Sequence, residues 1–309
     1  MYFKVKEIFG KLASLKNMNL SDLIGEKVGS STLLEEIARG SMGAVFVGYQ
    51  SSLKRQIAVK VVPKTTVTPL TTKIFQQEAE LAAILSHPNI IPVYEVGDAG
   101  DFLFLAMQLV KGKPLSYYIE RSRKNVLPSK RTLPLNITIK IIISVLEALD
   151  YAHSQSIIHR DIKPGNILIE SYKNRPIIVD FGLAQVSQKP DETSTMVAGT
   201  PKYMAPEQIL NSEIDGRADI YATATMLYEM LTPEPLFSDI DSIQDLLKEK
   251  INPNNELFVK KPSEMCSRLN IEMDRILSKA LSFDPDARYA TCREFREQVE
   301  GYSKRYLRN

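Results

Sequence analysis

Short apolar runs rich in β-branched and aromatic residues dominate the chain from about residue 33 to residue 109, and such runs are typical of β-strands. Between the third and fourth runs, residues 73–85 carry apolar side chains at helical spacing and end before His87-Pro88-Asn89. The pattern predicts a five-stranded antiparallel sheet with one helix. The predicted strands are residues 33–37, 44–49, 56–62, 91–96 and 102–109.

Beyond Gly112 the spacing of apolar residues becomes helical. Five helices are predicted there, at residues 135–153, 217–231, 242–250, 272–281 and 291–303. A small β lobe with one helix, followed by a larger helical lobe, is an α+β arrangement. A crevice between two such lobes is where a ligand site is expected.

The first 29 residues read as an N-terminal extension. Apolar residues recur there every three or four positions among lysines, which predicts an amphipathic basic helix. The apolar positions are Val5, Ile8, Phe9, Leu12 and Leu15. Such a helix either packs on its own domain or makes a peripheral contact with a membrane surface or a partner.

Composition narrows the class of protein. The chain has 309 residues, of which 44% are hydrophobic and 25% charged, and these globular values exclude a disordered or collagen-like chain. Lys and Arg number 39 and Asp and Glu 37, so a net charge of +2 gives no reason to expect a nucleic-acid partner. The two cysteines, Cys266 and Cys292, are too few for a disulfide framework.

No signal peptide is recognised in the sequence, and apolar stretches such as residues 102–107 and 139–143 are much shorter than a membrane-spanning helix. We therefore expect a cytoplasmic protein with no transmembrane segment.

The run His159-Arg160-Asp161-Ile162-Lys163-Pro164-Gly165-Asn166 combines a carboxylate with an amide five residues later. If the intervening chain is a tight loop, as Pro164-Gly165 indicates, the two side chains can point into one pocket. Asp161 could then accept a proton from a hydroxyl group, and Asn166 could hold a divalent cation. Asp180, which follows the strand-like residues 177–179 and precedes Phe181-Gly182, suits a Mg²⁺ ligand.

Two further features lie in the predicted sheet. Gly40 and Gly43 stand between the first two strands, where glycine lets backbone N–H groups approach phosphates, although most glycine-bearing hairpins are only hairpins. Lys60 lies inside an apolar strand, where an ammonium group is costly unless an anion meets it. Glu78 on the following helix is the obvious partner.

The ordered set resembles the signature of protein kinases. It comprises the glycine loop, Ile57-Ala58-Val59-Lys60, the 159–166 motif, Asp180-Phe181-Gly182, Ala205-Pro206-Glu207 and the late Arg288, which in the family pairs with the glutamate of the preceding motif. The residues in these motifs most resemble those of bacterial eukaryotic-like (Hanks-type) serine/threonine kinases. The resemblance covers residues 30–302 and implies the two-lobed protein kinase fold. It divides them into an N-lobe (30–107), a hinge (108–112) and a C-lobe (113–302), followed by a tail (303–309).

The resemblance also implies roles. Lys60, oriented by Glu78, would hold the α- and β-phosphates of ATP. Asp161 would be the catalytic base and Lys163 would neutralise the transferring phosphoryl group. Asn166 and Asp180 would bind Mg²⁺. His159 would pack under Phe181 rather than transfer protons.

The remaining nucleotide contacts are implied in the same way. Adenine would lie between Ile37, Val45 and Ala58 on one side and Leu168 on the other, with backbone groups of Gln108 and Val110 at its edge. The glycine loop over the phosphates would be Ala38, Arg39, Gly40, Ser41, Met42, Gly43 and Ala44. Thr200 would contact Asp161 and Lys163, and the D-x-K-P-x-N pattern is of the Ser/Thr type. Ala38 departs from the family, which has glycine there.

Arg160 before the catalytic aspartate implies control by phosphorylation, with Thr193, Ser194 and Thr195 as candidates. The basic segment 121–131, which holds five cations and no acid, is either a solvated loop or a docking site for acidic partners. Two other functions stay open: a pseudokinase scaffold, which the complete catalytic set argues against, and a small-molecule kinase, which Ala205-Pro206-Glu207 argues against.

Overall fold

The computed structural model describes residues 20–40, 43–66, 69–181, 201–238, 240, 242–253 and 261–307. The chain divides into two compact units. The N-terminal unit comprises Met1–Ala83 and Pro92–Val110, and the C-terminal unit comprises Ile84–Ile91 and Lys111–Asn309.

The N-terminal unit contains a six-stranded antiparallel sheet in the order β1-β2-β3-β4-β6-β5. The prediction of five strands was therefore wrong by one, because β1 has only two residues and shows no periodicity of its own. The strands are β1 Lys27–Val28, β2 Ser31–Arg39, β3 Ala44–Gln50, β4 Arg55–Pro63, β5 Val93–Ala99 and β6 Phe102–Met107. A long helix among the described residues of this region, α1, spans Pro69–Ile84.

The register of this sheet separates a packed face from a functional one. Phe46 pairs with Val59, and both belong to a buried apolar cluster with Leu33 and Phe104. The alternate positions point to the opposite face, since successive side chains of a strand alternate. Val45 pairs there with Lys60. Lys60 therefore lies on the face of the sheet that is not filled by the cluster.

The C-terminal unit is mostly helical, so the predicted α+β class is confirmed. The α-helices within its described residues are α2 Leu115–Arg123, α3 Leu135–Ser154, α4 Pro206–Ile209, α5 Arg217–Leu231, α6 Ile243–Lys250, α7 Pro262–Met265, α8 Ile271–Ala280 and α9 Cys292–Tyr306. Helix α3 packs against α9 and α5. Each of the five helices expected here is present, with bounds shifted by at most three residues; α2 was missed because its few apolar residues are interrupted by polar ones.

One stretch differs from the expectation that no apolar segment is long enough to span a membrane. Pro128–Ser154, which includes α3, meets that criterion by length and composition, with a mean hydropathy of 1.6 in its most apolar 18-residue window. Over half of its most apolar window, 56%, is buried inside the protein. A central helix packed against two others satisfies the same criterion.

A small three-stranded sheet orders the chain around the predicted catalytic loop. Strands β7 Gly112–Pro114, β8 Ile167–Glu170 and β9 Pro176–Ile178 pair antiparallel in that order. These strands of three or four residues are too short to be predicted from periodicity. Because Ile167 pairs with Ile178, the residues just before β8 and just after β9 lie at one end of the ladder.

Candidate active site

The loop from His159 to Asn166 brings its polar side chains together. Lys163 Nζ lies 2.7 Å from Asp161 Oδ2, and Asn166 Nδ2 donates to the same oxygen at 2.9 Å. Asn166 Nδ2 also donates to the backbone carbonyl of Asp161 at 2.8 Å. Within the described residues the donors to the carboxylate thus share one oxygen. Asp161 Oδ1 is left as the atom that can accept a hydrogen bond from a bound hydroxyl group.

Buried Asp219 on α5 fixes the backbone of this loop. Its carboxylate accepts the N–H groups of His159 at 2.9 Å and of Arg160 at 2.8 Å, and His153 Nε2 lies 2.8 Å away. Burial alone would raise the pKa of Asp219. The hydrogen bonds from the His153 side chain and from the backbone N–H of His159 hold this pKa below its usual value. The close approach requires Gly216, where a Cβ atom would lie 2.6 Å from the His153 ring.

The two predicted Mg²⁺ ligands stand at one end of the β8–β9 ladder. The N–H of Val179 donates to the carbonyl of Asn166 at 2.9 Å, which brings Asp180 next to the 159–166 loop. Asp180 has a φ of +61°, a left-handed conformation that few residues other than glycine adopt, and such strain is typical of functional sites. Asn166 offers its amide Oδ1, because its hydrogen bonds to Asp161 use Nδ2.

This donor set fits Mg²⁺. An amide oxygen and a carboxylate are hard ligands, and Mg²⁺ is usually held by one or two protein groups together with substrate phosphates and water. Among the described residues, no group of three or more His, Cys, Asp or Glu side chains could hold a metal by itself.

His159 connects the 159–166 loop to the segment that carries Asp180. Its Nδ1 accepts the N–H of Asp161 at 3.2 Å, and its Nε2 lies 3.0 Å from the carbonyl of Val179. This network assigns the ring proton to Nε2. The ring meets Phe181 edge-on with 4.6 Å between centroids, as expected for a structural rather than a proton-transferring histidine.

In the N-terminal unit, the register of β3 and β4 places Val45, Ala58 and Lys60 on one sheet face. Ala44, also predicted to contact the nucleotide, packs instead in the buried cluster on the other face. Val45 pairs with Lys60, and Ala58 pairs with Met107. Glu78 lies in α1, but its side chain is outside what the structure describes. The convergence of Lys60 with Asp161 and Asp180 stays a prediction, because Lys60 belongs to the other compact unit.

The hinge and the glycine loop refine the sequence predictions. The N–H of Gln108 donates to Pro92 at 3.0 Å, so its contribution to an adenine ring would come from its carbonyl group. The N–H of Gly40 donates to the carbonyl of Gly43 at 2.8 Å. Gly43 is required because a Cβ atom there would lie 2.0 Å from the carbonyl oxygen of Val61. The side chain of Arg39 bonds to Glu36 at 2.7 Å, which engages it within its own strand.

The remaining predicted contacts divide into described and undescribed residues. Ile37 and Ala38 lie in β2, where Ala38 pairs with Val45, and Ile37 is half exposed. Leu168 lies in β8 opposite Ile177, and Val110 ends the N-terminal unit. Ser41, Met42, Gly182, Thr193, Ser194, Thr195 and Thr200 are outside the described residues, as are residues 1–19 of the N-terminal extension.

The expected pair of Glu207 and Arg288 is confirmed. The buried guanidinium group donates to both carboxylate oxygens, at 2.7 and 2.8 Å, and also to the carbonyls of Ser282, Phe283 and Arg217. Next to Glu207, Gln208 Nε2 donates to the carbonyl of Arg160 at 2.9 Å. This bond connects the segment that begins at Pro201 to the 159–166 loop.

Lys250, at the end of α6, is a buried residue that the sequence did not predict to be important. Its ammonium group donates to three backbone carbonyls, those of Pro201 at 3.0 Å, Lys202 at 2.7 Å and Met204 at 2.6 Å. Burial lowers the pKa of Lys250 well below its usual value. An ammonium group has three donors. All three are used here to hold the chain just before α4.

Buried Glu229 on α5 forms a second cluster on the same segment. Its carboxylate meets Arg123 at 2.8 Å, Lys202 at 2.5 Å and the hydroxyl of Tyr203. Burial raises the pKa of Glu229, but the two cations and the tyrosine outweigh it and keep the group ionised. Arg123 is thus not part of a free basic loop, as its sequence context indicated, but ends α2 with a structural ion pair. A lone glutamate in an apolar helix was the signal for such partners.

This chain is similar in sequence and in structure to known protein kinases. The family model described as a protein kinase domain matches residues 31–299. The serine/threonine-protein kinase Pkn1 of Myxococcus xanthus is 31% identical over 90% of this chain. The tyrosine-protein kinase MasK of the same species is 30% identical, also over 90%. A crystal structure of the PknI kinase domain of Mycobacterium tuberculosis is 26% identical, covers 91% of this chain and 98% of its own, and superposes with a TM-score of 0.72.

The matched region is only part of the curated relatives. This chain spans 39% of the length of Pkn1 and 44% of that of MasK.

Proposed function

The chain belongs to the protein kinase domain family, and from that premise we propose that it transfers the γ-phosphoryl group of ATP to serine and threonine hydroxyl groups of proteins. The observation that carries the proposal is the pairing of Lys163 and Asn166 with a single oxygen of Asp161. The second oxygen is thereby available to a hydroxyl group, which is the geometry a general base needs.

The reaction divides among few side chains. The oxygen of the acceptor hydroxyl forms a new bond to the γ-phosphorus, and the bond from that phosphorus to the β-phosphate oxygen breaks. Asp161 Oδ1 accepts the proton of the hydroxyl as this happens. Lys163 supplies positive charge beside the same carboxylate, where the phosphoryl group passes. Lys60 binds the α- and β-phosphates. Mg²⁺, when bound by Asn166 and Asp180, neutralises phosphate charge.

The adenine is assigned to the sheet face that carries Val45 and Ala58, with Leu168 as its further contact and the carbonyl of Gln108 and the backbone of Val110 at its edge. Support comes from the shared face of Val45, Ala58 and Lys60 in the strand register. Lys60 lies two residues beyond Ala58 on that face of β4, directly opposite Val45.

The acceptor assignment needs its own argument, because the relatives include both serine/threonine-protein kinases and a tyrosine-protein kinase. Lys163 in the catalytic loop and Gly199-Thr200-Pro201 before α4 are typical of kinases that modify serine and threonine. Phosphoamino-acid analysis of a protein mixture incubated with the kinase, labelled ATP and Mg²⁺ tests this directly. We expect phosphoserine and phosphothreonine, whereas predominant phosphotyrosine would contradict the assignment.

The proposal includes autophosphorylation at Thr193, Ser194 or Thr195 and a cytoplasmic location, where ATP is available. A phosphate adds about −1.5 to −2 charges, which Arg160 can pair with. Mass spectrometry after incubation with ATP and Mg²⁺ should find phosphate in this cluster. Phosphate found solely at other positions would contradict this part of the proposal.

The rival function, a scaffold that binds nucleotide without turnover, is not favoured by any side chain of the site. Lys60, Asp161, Asn166 and Asp180 retain the functional groups that the reaction uses. The substitution of glycine by Ala38 removes none of them.

A further inference from the structure

Four of the five cations in the basic segment 121–131 form no ion pair with the described residues, and the exception is Arg123. Arg121, Lys124 and Lys130 are exposed, and none of the described residues gives them an acidic partner. Arg131 is also exposed, and its Nε donates to the carbonyl of Asn125 at 3.2 Å, which folds the loop without neutralising it. We call residues 121–131 the basic loop; they comprise the last turn of α2, with its paired Arg123, and the chain that follows it.

Both ends of the basic loop are attached to the last turn of α5. Arg123 binds Glu229, and beyond the loop the N–H of Leu133 donates to the carbonyl of Met230 at 3.2 Å. The same Glu229 also binds Lys202 and Tyr203. The basic loop therefore borders the segment that Lys250 holds and that Gln208 connects to the catalytic loop.

The charges around Glu229 do not cancel. One carboxylate faces two cations, so the cluster of Arg123, Lys202 and Glu229 carries one net positive charge. Both cations are about one-quarter exposed, and the unpaired cations of the basic loop add to the positive potential. Like charges this close repel one another, and an anionic ligand relieves the repulsion.

The middle of the basic loop carries apolar side chains as well. Val126 is 88% exposed and Leu127 52%. Adjacent exposed apolar side chains are not explained by a charged segment that only contacts water. A bound polypeptide could supply both carboxylates for the cations and apolar side chains for Val126 and Leu127.

We propose that the basic loop, together with Lys202, binds acidic side chains of the protein acceptor and so selects substrates with Asp or Glu near the modified residue. This inference rests on the proposed kinase function. It names the substrate class through charge complementarity, which gives specificity through favourable and unfavourable pairs at the rim of a binding site.

The test compares two degenerate peptide libraries with one central serine or threonine, one flanked by Asp and Glu and the other by Asn and Gln. The variant is R121Q/K124Q/K130Q. The control K140Q/K173Q/R275Q removes three exposed cations from other surfaces, so both variants change the net charge from +2 by the same three charges. The measured quantity is the ratio of acidic to neutral phosphorylation, which is independent of overall activity.

We expect the wild type and the control to prefer the acidic library by about threefold or more, as for two or three solvent-screened ion pairs, and the variant ratio to fall to about one. High salt should reduce the wild-type ratio as well. Equal use of both libraries by the wild type, or an unchanged ratio in the variant, would overturn the inference.

Binding of a fluorescent oligoglutamate peptide provides a second measurement that needs no turnover. We expect weaker binding by the variant than by the control, again by about threefold or more. If the wild type labels neither library, the kinase proposal fails, while this binding result still decides the inference. Loss of binding to anionic vesicles or RNA, with unchanged peptide binding, would assign the surface to those ligands and overturn it.

Discussion

Asp219 accepts a hydrogen bond from the backbone N–H of Arg160 at 2.8 Å, and Arg160 has a φ of +65°. The left-handed conformation of an arginine costs free energy. A fully buried carboxylate on a core helix thus maintains a strained loop whose next residue is Asp161. The position of the proposed catalytic loop, residues 159–166, depends on α5.

Replacement of Asp219 by Asn keeps the size of the side chain and removes its charge. The substitution weakens three hydrogen bonds, including those to His159 and His153, and leaves the strain at Arg160 without its support. We expect the free energy of unfolding to fall by about 2–4 kcal/mol. Urea denaturation measures the change. A decrease in the free energy of unfolding of less than about 0.5 kcal/mol would contradict this account.

The lowered pKa of Asp219 predicts an acid-dependent stability. Because the folded state holds this pKa below the unfolded value of about 3.9, the stabilisation is complete above that value and is lost as the pH falls through the folded pKa. The unfolding free energy of the wild type should therefore decline more steeply below pH ~4 than that of Asp219→Asn. Parallel pH profiles for the two proteins would show that Asp219 has no depressed pKa.

The buried pair of Arg288 and Glu207 should not tolerate lysine. Arg288→Lys loses the two parallel hydrogen bonds to the carboxylate of Glu207. The single ammonium group of lysine also has too few donors to bond to every carbonyl around it. We expect a loss of about 3 kcal/mol. Arg293→Lys is the control, because its pair with Asp150 is exposed and contributes at most about 1 kcal/mol. Equal effects of the two substitutions would contradict the role of burial.

Lys250→Met should loosen the segment before α4. Methionine fills the space of the lysine chain but leaves the carbonyls of Pro201, Lys202 and Met204 without their donor. We expect a loss of about 2–4 kcal/mol and faster amide hydrogen exchange at residues 201–204. Lys248→Met, an exposed change on the same helix, should do neither. Unchanged exchange in Lys250→Met would refute the anchoring role.

Long elements and chemical motifs were predictable from the sequence, whereas short elements and ion clusters were not. Helix α5 has the predicted bounds because its apolar residues fill every face. Strand β1 and the β7–β9 sheet are too short for periodicity and depend on neighbours distant in sequence. Lys250 looked like an ordinary terminal lysine beside Lys248, since nothing local distinguishes the buried one from the exposed one.

The same limit applies within the site. The proximity of Asp161, Lys163 and Asn166 follows from their spacing in a tight loop, so local sequence was sufficient. The bond between Gln208 and Arg160 joins residues 48 positions apart. The occupation of the Gln108 N–H by Pro92 also depends on tertiary pairing, which no motif encodes.

The central claim is that Asp161 acts as the base in phosphoryl transfer. The most direct measurement is the rate of transfer from labelled ATP to protein in the presence of Mg²⁺, for the wild type and for Asp161→Asn, with circular dichroism to establish that both are folded. The account predicts transfer by the wild type and a loss of at least about 100-fold in the folded variant. Equal rates, or no transfer by the folded wild type, would contradict it.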